Sequence, residues 1–207
     1  MTQPETDRRS FTALQTDRPF GVPVIITGSS RGGTSLVAAL FRAGGFDFGR
    51  NLAENQEDAE FHNAFYPAFQ PERFEKVVAR RKGRWGFKLP KAAMLLEEID
   101  AVLGEHNPTY VFVYRSPMAV AFSEAKRDGS LFATLHFASL FYARMSLFSQ
   151  RHAGMRNMIM CDYGMVAQDP TPLVHFICSA FEIADSGAVA ARAAEVNTGE
   201  GGGYVAF

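Results

Sequence analysis

Eight residues between a short apolar run and an amphipathic helix restrict the fold of this chain more than any other feature. Val22 to Thr27 is apolar and rich in β-branched side chains, and it is flanked by Gly21 and Gly28, the pattern of a buried strand. Gly28-Ser29-Ser30-Arg31-Gly32-Gly33-Thr34-Ser35 follows. Leu36, Val37, Leu40 and Phe41 then recur at helical spacing until Gly44-Gly45 stops the helix. A strand that turns through glycines into a helix aims successive backbone N–H groups into one concavity. The positive end of the helix dipole adds to the potential there, so the turn favours an anion.

The same alternation continues along the chain. Strands are expected at Arg84 to Lys88, Tyr110 to Tyr114 and Asn157 to Cys161, and helices from Lys91 to Leu103, Pro117 to Lys126, Leu131 to Gln150 and Pro172 to Phe181. Pro117 suits a first helical turn, where a missing N–H costs nothing. Strands alternating with helices predict a P-loop-type α/β fold: a mostly parallel sheet flanked by helices in three layers, α/β/α. With 207 residues, 47% of them hydrophobic, the chain can bury one substantial core. The organisation expected is a flexible N-terminal segment over 1–18, a single domain over 19–195 and a flexible Gly-rich tail over 196–207.

Net charge of -1 lacks the basic footprint of a nucleic-acid-binding protein. The polar stretch from Met1 to Arg18 reads as neither signal nor anchor, and no uninterrupted run approaches the ~20 apolar residues of a membrane span. A cytoplasmic protein with no membrane span is the expectation. Cys161 and Cys178 lie in apolar surroundings and read as buried free thiols.

Against the nucleotide-triphosphatase loop G-x-x-x-x-G-K-[ST], Gly28, Gly33 and Ser35 match, but Thr34 replaces the lysine that reaches the β- and γ-phosphates. Arg31 can still neutralise a phosphate inside the loop. A second anion grip is suggested by Val113-Tyr114-Arg115-Ser116-Pro117, with Ser123 eight positions after Arg115. The guanidinium offers a planar fork to phosphate oxygens, and a serine less than two helical turns beyond the strand can point back to the same place. Pairing of Arg115 with a carboxylate is the plainer alternative.

These two stretches resemble the sulfotransferases that use 3′-phosphoadenosine 5′-phosphosulfate (PAPS). Arg31, Gly32, Gly33, Thr34 and Ser35 fill the places of their 5′-phosphosulfate loop, with Gly32 where a hydroxyl is usual; Arg115 and Ser123 fill those of their 3′-phosphate element. Met158 to Cys161, Asp162-Tyr163 and Gln168-Asp169-Pro170 echo a third segment. The resemblance spans about residues 22 to 183 and implies PAPS as donor, bound by Ser30, Arg31, Gly32, Gly33, Thr34, Ser35, Arg115 and Ser123. It implies no metal and a small-molecule or saccharide acceptor. An atypical P-loop kinase and a non-catalytic binding protein of the same fold are the rival readings.

Transfer to a hydroxyl needs a base. The Lys-Thr-His-Leu-Pro segment that supplies a histidine in cytosolic members reads Phe87-Lys88-Leu89-Pro90 here, without the Thr-His pair. Glu57-Asp58-Ala59-Glu60-Phe61-His62-Asn63 is similar to the region where heparan sulfotransferases carry a carboxylate base, so Glu57 or Asp58 is the candidate, with His62 behind them. The acidic patch reads equally as a solvated helix start. Lys88 could neutralise the bridging oxygen or be a surface lysine. Arg80-Arg81-Lys82 reads as a solvated helix end, and Phe61, Phe65 and Phe69 as core. His106, His136, His152 and His175 show no partners in the sequence.

Overall fold

The computed structural model describes residues 10–49, 52, 56–126 and 130–196. Its strands are β1 (Phe11–Leu14), β2 (Val24–Gly28), β3 (Gly86–Lys88), β4 (Thr109–Tyr114) and β5 (Asn157–Asp162). They form one sheet in the order β1-β5-β4-β2-β3. β5, β4, β2 and β3 are parallel, and β1 closes one edge antiparallel to β5. The helices are α1 (Thr34–Ala43), α2 (Ala59–Phe65), α3 (Pro71–Val78), α4 (Leu96–Leu103), α5 (Pro117–Ala125), α6 (Leu131–His152), α7 (Tyr163–Gln168), α8 (Thr171–Ala180) and α9 (Ser186–Ala194).

Alternation along the central strands feeds two cores. Val24, Ile26, Val111 and Val113 face one side, where they meet Leu36, Leu40, Leu173 and Ile177 of α1 and α8. Ile25, Tyr110 and Phe112 face the other, against Phe61, Phe74, Ile99 and Phe148 of α2, α3, α4 and α6. Both faces are covered, so these strands carry no polar alternation and read as continuous apolar runs. This is the three-layer α/β/α arrangement that the sequence predicts.

Four details differ from the sequence reading. Residues 11–14, expected in a flexible segment, pair with β5 in the register Phe11↔Cys161 to Leu14↔Met158. The Asn157 side chain holds the following turn, accepting from Thr16 N at 2.8 Å and donating to Pro19 O at 2.8 Å. The helix expected from Lys91 is divided into a 3₁₀ turn, Pro90–Met94, and α4. α9 extends the fold past the last helix expected, and residues 197–207 of the Gly-rich tail lie outside the described residues. Lastly, α6 is long and apolar enough to cross a membrane by length and composition, the one such helix among the described residues. The sequence places this helix at Leu131 to Gln150, with Arg144 interrupting its apolar run. Ala138, Met145 and Phe148 of α6 are buried, whereas Phe132, Phe137 and Leu147 are exposed, as are Met118 and Phe122 of α5. Cys161 and Cys178 are buried free thiols, and burial pushes the Cys161 thiol up to about 12.

Candidate active site

The chain leaves β2 at Gly28 and turns into α1 through a loop closed by Gly32 N donating to Ser29 O at 2.9 Å. Arg31 (φ 59°) and Gly33 (φ 92°) both take the left-handed conformation. Gly33 is the N-cap of α1, which has no side-chain cap and no acidic residue in its first turn. The positive end of α1 therefore faces the loop without a built-in counter-charge, as an anion site requires. Glycine is needed at 33 for a second reason: a Cβ there would lie 1.9 Å from Cδ2 of Tyr163.

The loop meets the end of β4 because β2 and β4 are parallel neighbours, with Gly28 opposite Val113. From β2 the chain proceeds to β3 on one side and then to β4 on the other, so the crevice beyond their carboxyl ends is a topological switch point, where ligands bind in open α/β sheets. Arg115, the residue after β4, donates from Nη1 to Arg31 O at 2.9 Å, and Arg31 Nε donates to Ser123 Oγ of α5 at 3.3 Å. Two segments 84 residues apart thus converge. The Arg115 guanidinium lies 4.7 Å from the centre of the Tyr163 ring. Tyr142 of α6 donates its hydroxyl to Arg115 O at 2.7 Å and accepts from Arg115 N at 3.0 Å. Its oxygen is 3.5 Å from Ser29 Oγ. A cleft of 230 Å³ lined by Ser10, Tyr114, Met160 and Asp162 opens at the neighbouring end of β5.

On the other side of the loop, the Thr27 hydroxyl donates to Leu89 O and Pro90 O, both at 3.0 Å, and so fixes the exit of β3 against β2. Lys88, the last residue of β3, is 3% exposed and binds Glu57 Oε1 at 3.0 Å. Burial lowers its pKa, and the Glu57 carboxylate opposes that shift. Lys88 is therefore no surface lysine. Asp58 has a different environment: Oδ1 accepts from Glu60 N at 2.7 Å as the N-cap of α2, and Oδ2 pairs with Arg81 at 2.5 Å. Its carboxylate is committed to holding α2 and the residues after α3. Arg81 also binds Glu60 at 3.1 Å, which corrects the reading of the basic run as a merely solvated helix end. His62 stacks on Tyr66 at 4.2 Å between ring centres. His152, which shows no partner in the sequence, lies 2.8 Å from Glu97 and stacks on Phe148 at 4.2 Å.

Of the predicted residues, the loop, Arg115 and Ser123 form one cluster, Glu57 and Lys88 a second one strand away, and Asp58 joins neither. The sequence pattern gives Tyr142 and Tyr163 no place among the candidate site residues. Tyr142 is half-buried on an otherwise apolar helix face, a pattern that gives one polar atom a partner to find, but only the fold says which. Among the described residues no group of three or more His, Cys, Asp or Glu could hold a metal ion.

No protein-family model and no curated protein matches the sequence. Solved structures do. The sulfotransferase STF9 from Mycobacterium avium superposes with a TM-score of 0.56 at 12% identity, over 86% of this chain and 68% of that one. STF1 from Mycobacterium tuberculosis gives 0.55 at 12% identity over 86% and 72%, and a sulfotransferase from Alicyclobacillus acidocaldarius gives 0.51 at 14% over 81% and 82%. At these identities the likeness is one of architecture, and the chain has the fold of the bacterial sulfotransferases.

Proposed function

We propose that the chain is a sulfotransferase that moves a sulfonate group from PAPS to a hydroxyl of a small-molecule or saccharide acceptor. The observation that carries this reading is the meeting of the β2–α1 loop with Arg115 and Ser123, at 2.9 Å and 3.3 Å. Two cations, in the loop after β2 and just after β4, and a serine hydroxyl of α5 suit a nucleotide with two separated anionic groups. The uncapped α1 terminus suits one of those groups, and Arg115 with Ser123 the other. The donor fits these residues: Ser30 to Ser35 would hold the phosphosulfate, and Arg115 and Ser123 the 3′-phosphate.

When bound, PAPS supplies an activated sulfonate whose bond to the 5′-phosphate oxygen is the one that breaks. Glu57, whose carboxylate lies against the Lys88 ammonium, would take the proton of the attacking acceptor hydroxyl as the new O–S bond forms. With the donor bound, the ammonium of Lys88 and the positive end of α1 would stabilise charge left on its 5′-phosphate oxygen. Glu57 is preferred to Asp58 because both oxygens of Asp58 already have structural partners. Burial of Lys88 beside Glu57 keeps a charge pair in a poorly solvated place, where it acts more strongly than in water.

Calorimetric titration with adenosine 3′,5′-bisphosphate tests the reading. Micromolar binding that Arg115→Ala weakens at least tenfold is expected, since each charge-assisted hydrogen bond to phosphate is worth about 1.5–3 kcal/mol. No heat at millimolar nucleotide would remove the basis of the proposal. Tight magnesium-dependent binding of ATP instead would point to a kinase.

A further inference from the structure

Arg115 is held from three directions, and two of the groups that hold it are tyrosines to which the sequence pattern gives no role. Tyr142, from the long helix α6, completes both backbone hydrogen bonds of residue 115, at 2.7 Å and 3.0 Å. The strand ladder has ended at Tyr114↔Asp162, so one phenolic oxygen serves the next peptide in place of a neighbouring strand. Tyr163, the first residue of α7, lies under the guanidinium at 4.7 Å and fills the space left by the missing side chain of Gly33. The third contact, from Nη1 to Arg31 O at 2.9 Å, joins the guanidinium to the loop.

An arginine has several rotatable bonds, and fixing them on ligand binding costs free energy that a prearranged side chain has already lost. We propose that Tyr142 and Tyr163 are positioning residues that set Arg115 for the second phosphate of the nucleotide. Tyr142 fixes the backbone through its hydroxyl, and Tyr163 fixes the guanidinium through its ring. The proposal rests on the nucleotide reading above and adds a division of labour to it: the hydroxyl matters at 142 and the aromatic face at 163. Ser29 Oγ, 3.5 Å from the Tyr142 oxygen, brings the loop into the same contact network.

Opposite substitution patterns follow. Tyr142→Phe should weaken adenosine 3′,5′-bisphosphate about tenfold, the scale of one lost hydrogen bond to a fixed group. It should leave adenosine 5′-monophosphate unchanged, because that ligand has nothing for Arg115 to hold. Tyr163→Phe should bind both nucleotides within about twofold of wild type, whereas Tyr163→Leu should lose several-fold affinity for the bisphosphate alone, as loss of a cation–π contact requires. The ratio of the two affinities is the readout, since general destabilisation lowers both together.

The second measurement needs no ligand. NMR-detected hydrogen exchange at the Arg115 amide should be markedly faster in Tyr142→Phe than in wild type. Unchanged exchange there, or Tyr163→Leu with the same affinity ratio as Tyr163→Phe, would overturn the proposal. If wild type binds neither nucleotide, the functional reading falls, and the exchange experiment still decides the role of Tyr142.

Discussion

Glu57 and Asp58 are adjacent, equally acidic and differently employed. Asp58 is 5% exposed, caps α2 and binds Arg81, whereas Glu57 turns to the ammonium of Lys88. Glu57→Gln should therefore lower kcat by about 10²-fold or more, the usual scale for a lost general base, and leave the donor dissociation constant close to wild type, with some fall in Tm because buried Lys88 loses its partner. Asp58→Asn should lower Tm as a cap and a buried ion pair are lost, while kcat measured well below Tm changes little. Steady-state kinetics, calorimetry and a thermal melt on the two variants separate the cases. The sequence presents both carboxylates but cannot rank them, because the cap depends on α2 beginning at Ala59 and on Arg81 arriving from beyond α3. The burial of Lys88 is hidden for the same reason, since its cover comes from distant residues.

Among the secondary-structure elements, those at the centre of the sheet are the ones legible in advance. β2 and β4 are apolar on both faces, so their composition alone marks them as buried parallel strands, and the glycine loop fixes where the first helix begins. β1 carries the short alternating pattern of a strand with one neighbour, too brief to stand out against the polar stretch before it. A network joining α4, β4 and the start of β5 is equally invisible in sequence. Arg156 binds Asp100 with Nε at 2.6 Å and Nη2 at 3.0 Å, and Tyr110 donates to the same carboxylate at 2.8 Å. Asp100 is 8% exposed. Arg156→Ala leaves that carboxylate without its cation, and urea unfolding should show a loss of about 3 kcal/mol, the scale for breaking a buried pair. A change below 0.5 kcal/mol would mean that water replaces the arginine at no cost.

At the scale of the whole molecule, β1 is both the edge of the sheet and a lid on β5. It covers the hydrogen-bonding row of Met158 to Cys161 and seats Phe11 against Phe176 at 4.7 Å. Deleting residues 1–14 should expose an apolar strand edge, lower Tm and produce concentration-dependent association in size-exclusion chromatography. A monomer with unchanged Tm would show that β5 needs no neighbour there. The strand order has another consequence. Glu57 and Lys88 stand at the β3 end, the loop at β2, and Arg115 with Ser123 at β4, so the crevice has a direction, with neighbouring stations about 5 Å apart. Under the proposed reading, the groups that recognise the donor hang from β2, β4, α1, α5, α6 and α7, while the acceptor flank is that of Glu57, from which the chain runs into α2 and α3. A change of substrate can then be written into the exposed positions of residues 59–78, and variants changed only there, with Glu57, Asp58 and the buried Phe61, Phe65 and Phe74 kept, should hold the nucleotide affinity of their parent while diverging in what they modify.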